Sequence, residues 1–323
     1  MNARMVAGCA LTVGALLFTS ACKDGTEGGQ KEASGGPAAT KSQSPTSATK
    51  TPTAVPSPTG TMAKMPAGTN PGLRNKGRLT VCRGAAQTPF LTSSGEVPSS
   101  NGATVGQVKG FDVEMLSLIG QRINAVPQFN GNVPVDKVYN GEALKQKWCD
   151  VIGGISTDSK AAFPQMSFSV PYFTRKSAIL VQGDARYASL DELVGKRVGA
   201  RTTTPEFPDD IDTYNDKHSK KITVQRVEQD ELLLGMLTSG RVDAVVLGNG
   251  QAKYFAALHK ESNLHITAEF GKTYQAMFAV RKGNSALLKQ IDAALADAGR
   301  NGLYAAAYRT WFSEEPKSVP PTG

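Results

Sequence analysis

The amino-acid sequence predicts an α/β protein of two lobes, with the second lobe inserted into the first. From residue 78 onward, short apolar runs alternate with amphipathic segments, a pattern typical of parallel sheets with helical crossovers. The alternation restarts near residue 189 and returns to the first lobe near residue 277. An inserted lobe requires two chain crossings, which form a hinge. Open α/β sheets bind ligands at the carboxyl ends of their strands, so we expect a ligand cleft between the lobes.

The first lobe is predicted to start with a strand over residues 79–82, followed by a Gly/Ser/Pro-containing loop over residues 84–107. Val113, Leu116, Ile119 and Ile123 recur near helical spacing, which predicts a helix over residues 111–123 with one buried stripe. The remaining elements of this lobe are strands at 126–129, 151–155 and 277–280, and helices at 135–147, 284–298 and 303–312.

The second lobe is predicted to open with a short helix, for which Ser189 is the N-cap and which ends at Gly195. The alternation then predicts strands at 196–201, 222–227 and 242–247. Between and after them it predicts helices at 203–214, 230–238 and 251–259. The crossings are expected at 178–184 and 268–276, so that lobe 1 spans about 76–180 and 272–316 and lobe 2 about 184–268.

The N-terminus has the features of an export signal. Arg4 precedes an apolar run over residues 10–18 that is far shorter than the ~20 residues of a membrane-spanning helix. Small residues before Cys22 resemble a bacterial lipobox, although Thr19 stands where Leu or Val is usual. We expect residues 1–22 to be a lipoprotein signal peptide with Cys22 lipidated, holding the protein on the extracytoplasmic face of the cell membrane. Ordinary cleavage with Cys22 free is the alternative.

Residues 23–75 consist mainly of Pro, Ser, Thr, Gly, Ala and Lys, and they predict a disordered tether because they bury little apolar surface. Residues 1–78 hold nine basic and three acidic side chains and so carry +6 of the net charge of +8, whereas residues 79–323 hold 27 basic and 25 acidic side chains. The globular part lacks a basic stripe interleaved with aromatic residues, which argues against nucleic acid as a partner. We expect a monomer.

Cys82 and Cys149 remain in the exported chain, where disulfides persist. They fall in neighbouring predicted strands, but Cys149 precedes its strand whereas Cys82 lies within its own. The offset between them is close to the ~7 Å Cα limit for a bridge. A disulfide and two buried free thiols both remain open at this point.

One segment, DVIGGISTDSKAAFPQMSFSVPY over residues 150–172, resembles the ligand-clamp segment of the amino-acid-type (family 3) extracellular solute-binding proteins. Similar to that family are also Gly110–Glu114, Leu190–Gly199, Gly240–Val245 and Ala279–Asn284. Five such motifs in order are specific, although each alone is weak. The resemblance implies a periplasmic-binding-protein-like type II clamshell, two α/β lobes with two hinge crossings, that captures a small solute for an ABC permease.

Both halves of the family's amino-acid clamp depart from its pattern. In the family, an arginine of the clamp turn holds the ligand carboxylate; here the position falls on Ala162 or, with a two-residue shift, on Lys160. The acid that meets the ammonium is replaced by Gly248, with Asn249 beside it. Either the ligand is non-standard, or other groups compensate, with Lys160 or Arg201 meeting a carboxylate and Asp158 an ammonium.

The remaining ligand-binding candidates follow predicted strands. Hydroxyl and backbone N–H groups of Thr157 and Ser159 can bond a ligand, although turn capping is an equal role for them. Thr203 and Thr204 follow Arg201 where the family places an anion-facing loop, without the family's glycine. The resemblance also places Gln87 and Phe90 against the ligand.

Enzyme chemistry has little support in the sequence. The three histidines lack metal-ligand spacing, and no nucleophile elbow or phosphate loop follows a strand. We expect no cofactor, no metal and no catalysis. The leading hypothesis is a lipid-anchored solute-binding protein of an ABC importer that captures a small polar solute, an amino acid or related compound, by hinge closure. The alternatives are a sensor or accessory lipoprotein and, as a third option, an enzyme on the same scaffold.

Overall fold

The computed structural model describes residues 61–82, 87–93, 103–104, 108–131, 133–157, 160, 163–202 and 209–320. These residues belong to one compact unit, 54–323. The predicted signal peptide, Cys22 and the predicted tether up to residue 60 lie outside the described residues. Within the described ranges, no helix is long and apolar enough to span a bilayer.

The strands in chain order are β1 (Arg78–Cys82), β2 (Thr92–Ser93), β3 (Ala103–Thr104), β4 (Val108–Lys109), β5 (Val126–Asn130), β6 (Val151–Thr157), β7 (Met166–Phe168), β8 (Phe173–Gln182), β9 (Val198–Arg201), β10 (Val224–Val227), β11 (Ala244–Gly248) and β12 (Leu264–Arg281). The helices are α1 (Phe111–Arg122), α2 (Val135–Tyr139), α3 (Glu142–Lys145), α4 (Asp210–Lys217), α5 (Asp230–Thr238), α6 (Asn249–Leu258), α7 (Ser285–Arg300) and α8 (Leu303–Phe312). Short 3₁₀ turns cover Asp191–Leu193 and Lys260–Ser262.

One mixed sheet contains ten of these strands, in the order β10-β9-β11-β8-β12-β6-β1-β5-β3 with β7 paired to β12. At one end β1 pairs in parallel with β5 and β6, and at the other end β9 pairs in parallel with β10 and β11. The parallel pairing that the alternation predicts is therefore present in both halves. The two halves have separate apolar cores, one around α1 and α7 and one around α5 and α6.

The two chain crossings are the long antiparallel strands β8 and β12, which pair with each other in the middle of the sheet. Ser177 of β8 already pairs with Gly248 of β11, so the first crossing precedes Ser177, ahead of the predicted interval at 178–184. On β12 the register shifts between Phe270 and Tyr274, inside the predicted second interval. Two strands that belong to both halves therefore form the hinge, and their pairing provides most of their backbone groups with hydrogen-bond partners.

Several element boundaries differ from the predicted ones. The helix expected over 135–147 is divided into α2 and α3 because Gly141 adopts φ 79°, outside the helical region. The helix expected from residue 203 begins at Asp210, where the Asp209 carboxylate accepts a hydrogen bond from the Asp212 N–H (2.8 Å). This N-cap supplies a hydrogen-bond acceptor for a backbone N–H at the start of the helix. The spacing of apolar residues, on which the prediction relied, does not indicate where such a cap lies.

Residues 61–75, expected to end the disordered tether, pack on the first half instead. Met62 and Leu73 are buried in the α1 core. The Met65 N–H donates to the Arg122 carbonyl (2.8 Å), and the Arg74 N–H to the Asp150 carboxylate (2.7 Å). Two apolar side chains in a polar segment leave a weak compositional signal, which explains why the prediction was wrong for these fifteen residues.

Cys82 and Cys149 form a disulfide with a Cα–Cα distance of 5.5 Å. The offset between the strands is overcome because the Asp150 N–H donates to the Thr80 carbonyl (2.8 Å), while the Asp150 carboxylate accepts from the Thr80 N–H (2.9 Å). This pair of hydrogen bonds draws the residue before β6 alongside β1. Of the two states left open by the sequence, the structure has the disulfide.

Candidate functional site

The turn over residues 87–90 follows β1 and rests on the first turn of α1. The carbonyls of Pro89 and Phe90 accept hydrogen bonds from the N–H groups of Phe111 (2.9 Å) and Asp112 (3.0 Å). Gly110 permits this approach, since a Cβ there would lie 2.2 Å from the Phe90 carbonyl oxygen and its φ is 146°. The glycine of the G-F-D-V-E motif therefore positions a turn that carries two predicted ligand residues.

Phe90 is a wall of the cleft rather than an exposed contact. Its side chain is 1% exposed, and its ring packs on Phe173 and Phe312 at centroid distances of 4.9 and 5.8 Å. On its other side lies Gly250 in the first turn of α6, where a Cβ would meet the ring at 2.5 Å. Phe90 thus joins α1 of the first half to α6 of the second.

Arg175, on β8, is a candidate site residue that the sequence analysis missed. Its Nη1 donates to Oε1 of Gln87 (2.7 Å), and its Cζ lies 4.1 Å from the centroid of the Phe90 ring. Its Nε is buried and has no hydrogen-bond acceptor among the described residues. In the sequence, Arg175 could have been found as a basic residue three positions after Tyr172. It lies beyond the segment in which the family's clamp arginine occurs.

Asp112, from the same motif as Gly110, is a buried carboxyl close to Arg175. Its Oδ1 accepts a hydrogen bond from the Tyr172 hydroxyl (2.7 Å), and Gly154 leaves room for the other oxygen. Burial raises the pKa of Asp112 to about 6, opposed by the Arg175 charge and the Tyr172 hydrogen bond. The pKa of Tyr172 is raised well above its ordinary value, first by burial and then by the Asp112 charge.

In the second half, Arg201 ends β9 and meets Asp230, the first residue of α5. Arg201 Nη1 lies 3.3 Å from Oδ2 of Asp230. The other oxygen, Oδ1, is buried with no partner among the described residues, and the whole side chain is 3% exposed. Burial raises the pKa of Asp230 to about 6, with the Arg201 charge lowering it and the Glu231 charge raising it.

The two halves meet across the cleft at the 87–90 turn. The Thr88 hydroxyl donates to Oε1 of Glu231 (3.2 Å), the residue after Asp230. Ser156 Oγ, near the end of β6, is a third buried polar atom without a partner in the described part of the chain. Among the residues that the structure describes, buried polar atoms without partners therefore lie near the carboxyl end of β6 and after that of β10, and open α/β sheets bind ligands beside such strand ends.

Other predicted site residues have structural roles or lie elsewhere. Thr157 is buried and pairs with Gln275 of β12. Lys160 is exposed, and its charge lowers the pKa of Asp292 on α7 against the larger effect of burial, which raises it. Ser159, Thr203 and Thr204, together with Asp158 and Ala162, lie outside the described residues.

Gly248 and Asn249 connect the second half to the hinge. Gly248 is the N-cap of α6, and a Cβ there would meet Oε1 of Gln251 at 2.5 Å. Asn249 is buried: its Oδ1 accepts from the Lys176 N–H (3.4 Å), and its Nδ2 donates to the Thr174 carbonyl (3.3 Å). These contacts hold the start of α6 on β8, so Asn249 positions the hinge.

A pocket of about 520 Å³ lies at the hinge between α6, α8 and the tail over residues 317–320. Of the predicted ligand residues that the structure describes, only Asn249 lines this pocket. Beside it, Nζ of Lys253 lies 2.7 Å from Glu314, 3.7 Å from Glu269 and 3.4 Å from the Tyr308 hydroxyl. These four residues, which we call the Lys253 cluster, tie α6 to β12 and to the C-terminal segment.

Comparisons with known proteins agree with this architecture. The family model described as bacterial extracellular solute-binding proteins, family 3, matches residues 91–314. The putative ABC transporter arginine-binding protein 2 of Escherichia coli (strain K12) is 27% identical over 240 residues, covering 71% of this chain and 93% of that protein. The probable histidine-binding protein of Neisseria gonorrhoeae is 26% identical over 213 residues, covering 65% and 77%.

Among solved structures, an ancestral arginine-binding protein bound to glutamine is 28% identical, with a TM-score of 0.53, and the match covers 74% of this chain and 100% of that one. The fold is thus the two-lobed clamshell that the resemblance implies, and the resemblance itself is confirmed. The chain belongs to the bacterial extracellular solute-binding proteins of family 3.

Proposed function

We propose that this protein is the extracytoplasmic solute-binding component of an ABC importer and that its ligand is an α-amino acid or a closely related polar solute. The observation that carries the proposal is the arrangement of the cleft. Buried polar atoms without a partner among the described residues lie near the end of β6 in the first half, near the start of the hinge strand β8, and three residues after β10 in the second half. A solute that bonds both halves stabilises the closed arrangement, because closure is driven by contacts that the open form lacks.

The ligand class follows from two further observations. The cleft has a basic side chain with unused donors, Arg175, and an acid with an unused acceptor, Asp230. Relatives described as arginine-binding and histidine-binding proteins share the family. Binding without catalysis, and without a cofactor or metal, is the activity that this donor and acceptor set supports.

The binding proposal is tested by calorimetry on the mature chain in mild detergent. L-arginine, L-histidine, L-glutamine and L-glutamate are titrated individually, with D-glucose as a control solute. We expect at least one amino acid to bind and to reduce the radius of gyration in small-angle scattering. Tight binding with an unchanged scattering curve would contradict hinge closure, and the absence of binding by all four would contradict the ligand class.

Anchoring by lipid on Cys22 is the second part of the proposal, supported by the small residues before Cys22 and the Pro/Ser/Thr-rich segment after it. The anchored monomer would present the clamshell to a membrane permease. The Cys22→Ala variant should leave the membrane fraction or remain unprocessed. Normal maturation together with full membrane attachment of that variant would contradict the anchor.

A sensor or accessory lipoprotein is the alternative favoured by one observation, the absence of both family clamp residues at Ala162 and Gly248. Deletion of the gene distinguishes the two functions. A transport component is needed for uptake of its radiolabelled ligand, whereas a sensor alters a downstream response while uptake persists.

A further inference from the structure

We propose that Arg175 holds the ligand's carboxylate in place of the missing clamp arginine, and that Oδ1 of Asp230 accepts the ligand's ammonium in place of the missing acid. The assignment rests on the proposed amino-acid-binding function and moves both ends of the clamp to new elements. The carboxylate site moves from the turn after β6 to the hinge strand β8. The ammonium site moves from the residue after β11 to the first residue of α5.

The guanidinium of Arg175 has the hydrogen-bonding capacity for a carboxylate. Arginine carries five N–H donors, and here the described residues accept from one of them, on Nη1. Its neighbours Gln87 and Phe90 are uncharged, and Asp112 influences it electrostatically without forming an ion pair within 4.0 Å. A planar fork with free donors against an aromatic wall is suited to binding a carboxylate with two parallel hydrogen bonds.

Asp230 is a buried carboxylate in which one oxygen is paired with an arginine and the other has no hydrogen-bond partner among the described residues. Oδ2 is held by Arg201, which fixes the side chain, while Oδ1 has no donor among the described residues. A buried acceptor without a donor is costly, and such groups in native proteins call for an explanation. An ammonium group supplies the donor and the opposite charge together.

Arg175, on the hinge strand, contacts the turn over residues 87–90, and Asp230, in the second half, precedes a residue that contacts it. Arg175 touches Gln87 and Phe90, and Glu231, the neighbour of Asp230, accepts from Thr88. In the proposed arrangement, a ligand with carboxylate and ammonium on one carbon bonds the hinge strand and α5 at once. This geometry couples binding to closure, because neither half can hold both ends alone.

The two competing cations are less suited to the carboxylate. Lys160 is exposed and acts on Asp292 of α7, in the first half. Arg201 is engaged by Asp230, and a ligand carboxylate there would compete with that ion pair.

The test compares Arg175→Met with the control Lys160→Met in the mature chain in detergent. Calorimetry measures affinity for L-arginine, L-histidine and L-glutamine, each also as its methyl ester. Losing one partner of a desolvated, hydrogen-bonded charge pair costs 2–5 kcal/mol, so Arg175→Met should weaken binding by roughly 30-fold or more. Lys160→Met should change affinity less than about threefold.

The methyl esters make the assignment independent of whether Arg175→Met folds. The wild type should bind the free acid at least about 30-fold more tightly than the ester. Arg175→Lys keeps the positive charge but loses the two parallel N–H donors of the guanidinium. In this variant the preference for the free acid over the ester should fall to roughly threefold or less. An unchanged preference in Arg175→Lys, or a loss of binding in Lys160→Met alone, would overturn the assignment.

Asp230→Asn tests the ammonium end. Wild-type affinity for L-glutamine should fall as the pH drops below about 6, where Asp230 becomes protonated, and the variant should bind weakly with no such dependence. If the wild-type affinity does not change between pH 7.5 and pH 5, Asp230 does not bind the ammonium. The same conclusion follows if the Asp230→Asn variant binds L-glutamine as tightly as the wild type. If the wild type binds none of these amino acids, the proposed function fails, and this assignment fails with it.

Discussion

Two basic side chains near the hinge have opposite surroundings. Lys253 is 9% exposed at its side chain, and Glu314, Glu269 and the Tyr308 hydroxyl surround it. Arg175 faces the cleft with a neutral amide, an aromatic ring and a buried Nε that has no acceptor among the described residues. Burying a charge is costly unless it is paired, so the fully paired Lys253 has a structural role, whereas Arg175 is the cation that we propose for the ligand.

Acidification should stabilise the folded protein through two buried carboxyls, Asp112 and Asp230. The folded-state pKa values of Asp112 and Asp230 are raised from 3.8 to about 6, mainly by burial. The folded state therefore binds protons more tightly than the unfolded state, and stability rises as the pH falls through 6. From pH 7 to pH 5 each carboxyl should add about 1.3 kcal/mol to the free energy of unfolding.

Urea unfolding at both pH values, in the absence of ligand, measures this effect. Asp112→Asn and Asp230→Asn should each remove that carboxyl's own share of the increment, about 1.3 kcal/mol. An increment that survives in both asparagine variants would show that these carboxyls are ionised at their ordinary pKa.

Replacing Lys253 and Arg175 with methionine should lower the stability of the folded protein by different amounts. Lys253→Met leaves Glu314 and Glu269 without their counter-charge, and we expect a loss of about 1–2 kcal/mol in the free energy of unfolding. Arg175→Met removes a charge with few hydrogen-bond partners and should lower the free energy of unfolding by less than about 1 kcal/mol. The lost attraction to Asp112 is partly offset because the guanidinium no longer has to be desolvated on folding. Equal losses in the two variants, measured by urea unfolding at pH 7, would contradict the contrast between them.

The last prediction concerns rebuilding the family's clamp. Ala162→Arg together with Gly248→Asp, in the Arg175→Met background, should restore amino-acid binding by roughly tenfold, about 1.4 kcal/mol. Each change alone should restore less, because each charge needs the other end of the ligand held. Gly248→Asp requires Gln251 to move, since a Cβ would lie 2.5 Å from its Oε1. A calorimetric titration showing no recovery would mean that the cleft has lost the old geometry.

The motifs around Gly110 and Gly240 and the alternation of strands and helices were sufficient to predict a two-lobed α/β fold. Such local patterns report burial and turn chemistry, which the residues themselves encode. The packing of residues 61–75 and the first crossing were placed incorrectly. Both depend on long-range contacts, which produce no periodic pattern in the sequence. These contacts are Arg74 with Asp150 and Ser177 with Gly248.

The sequence by itself determined the family, the strand ends that form the cleft, and the absence of the usual clamp residues at Ala162 and Gly248. Only the tertiary structure decided which side chains meet there. Arg175 and Gln87 are 88 residues apart, and Thr88 and Glu231 are 143 apart, yet both pairs are hydrogen-bonded. Whether a charge is satisfied depends on neighbours brought together by folding, and that property distinguishes Arg175 from Lys253.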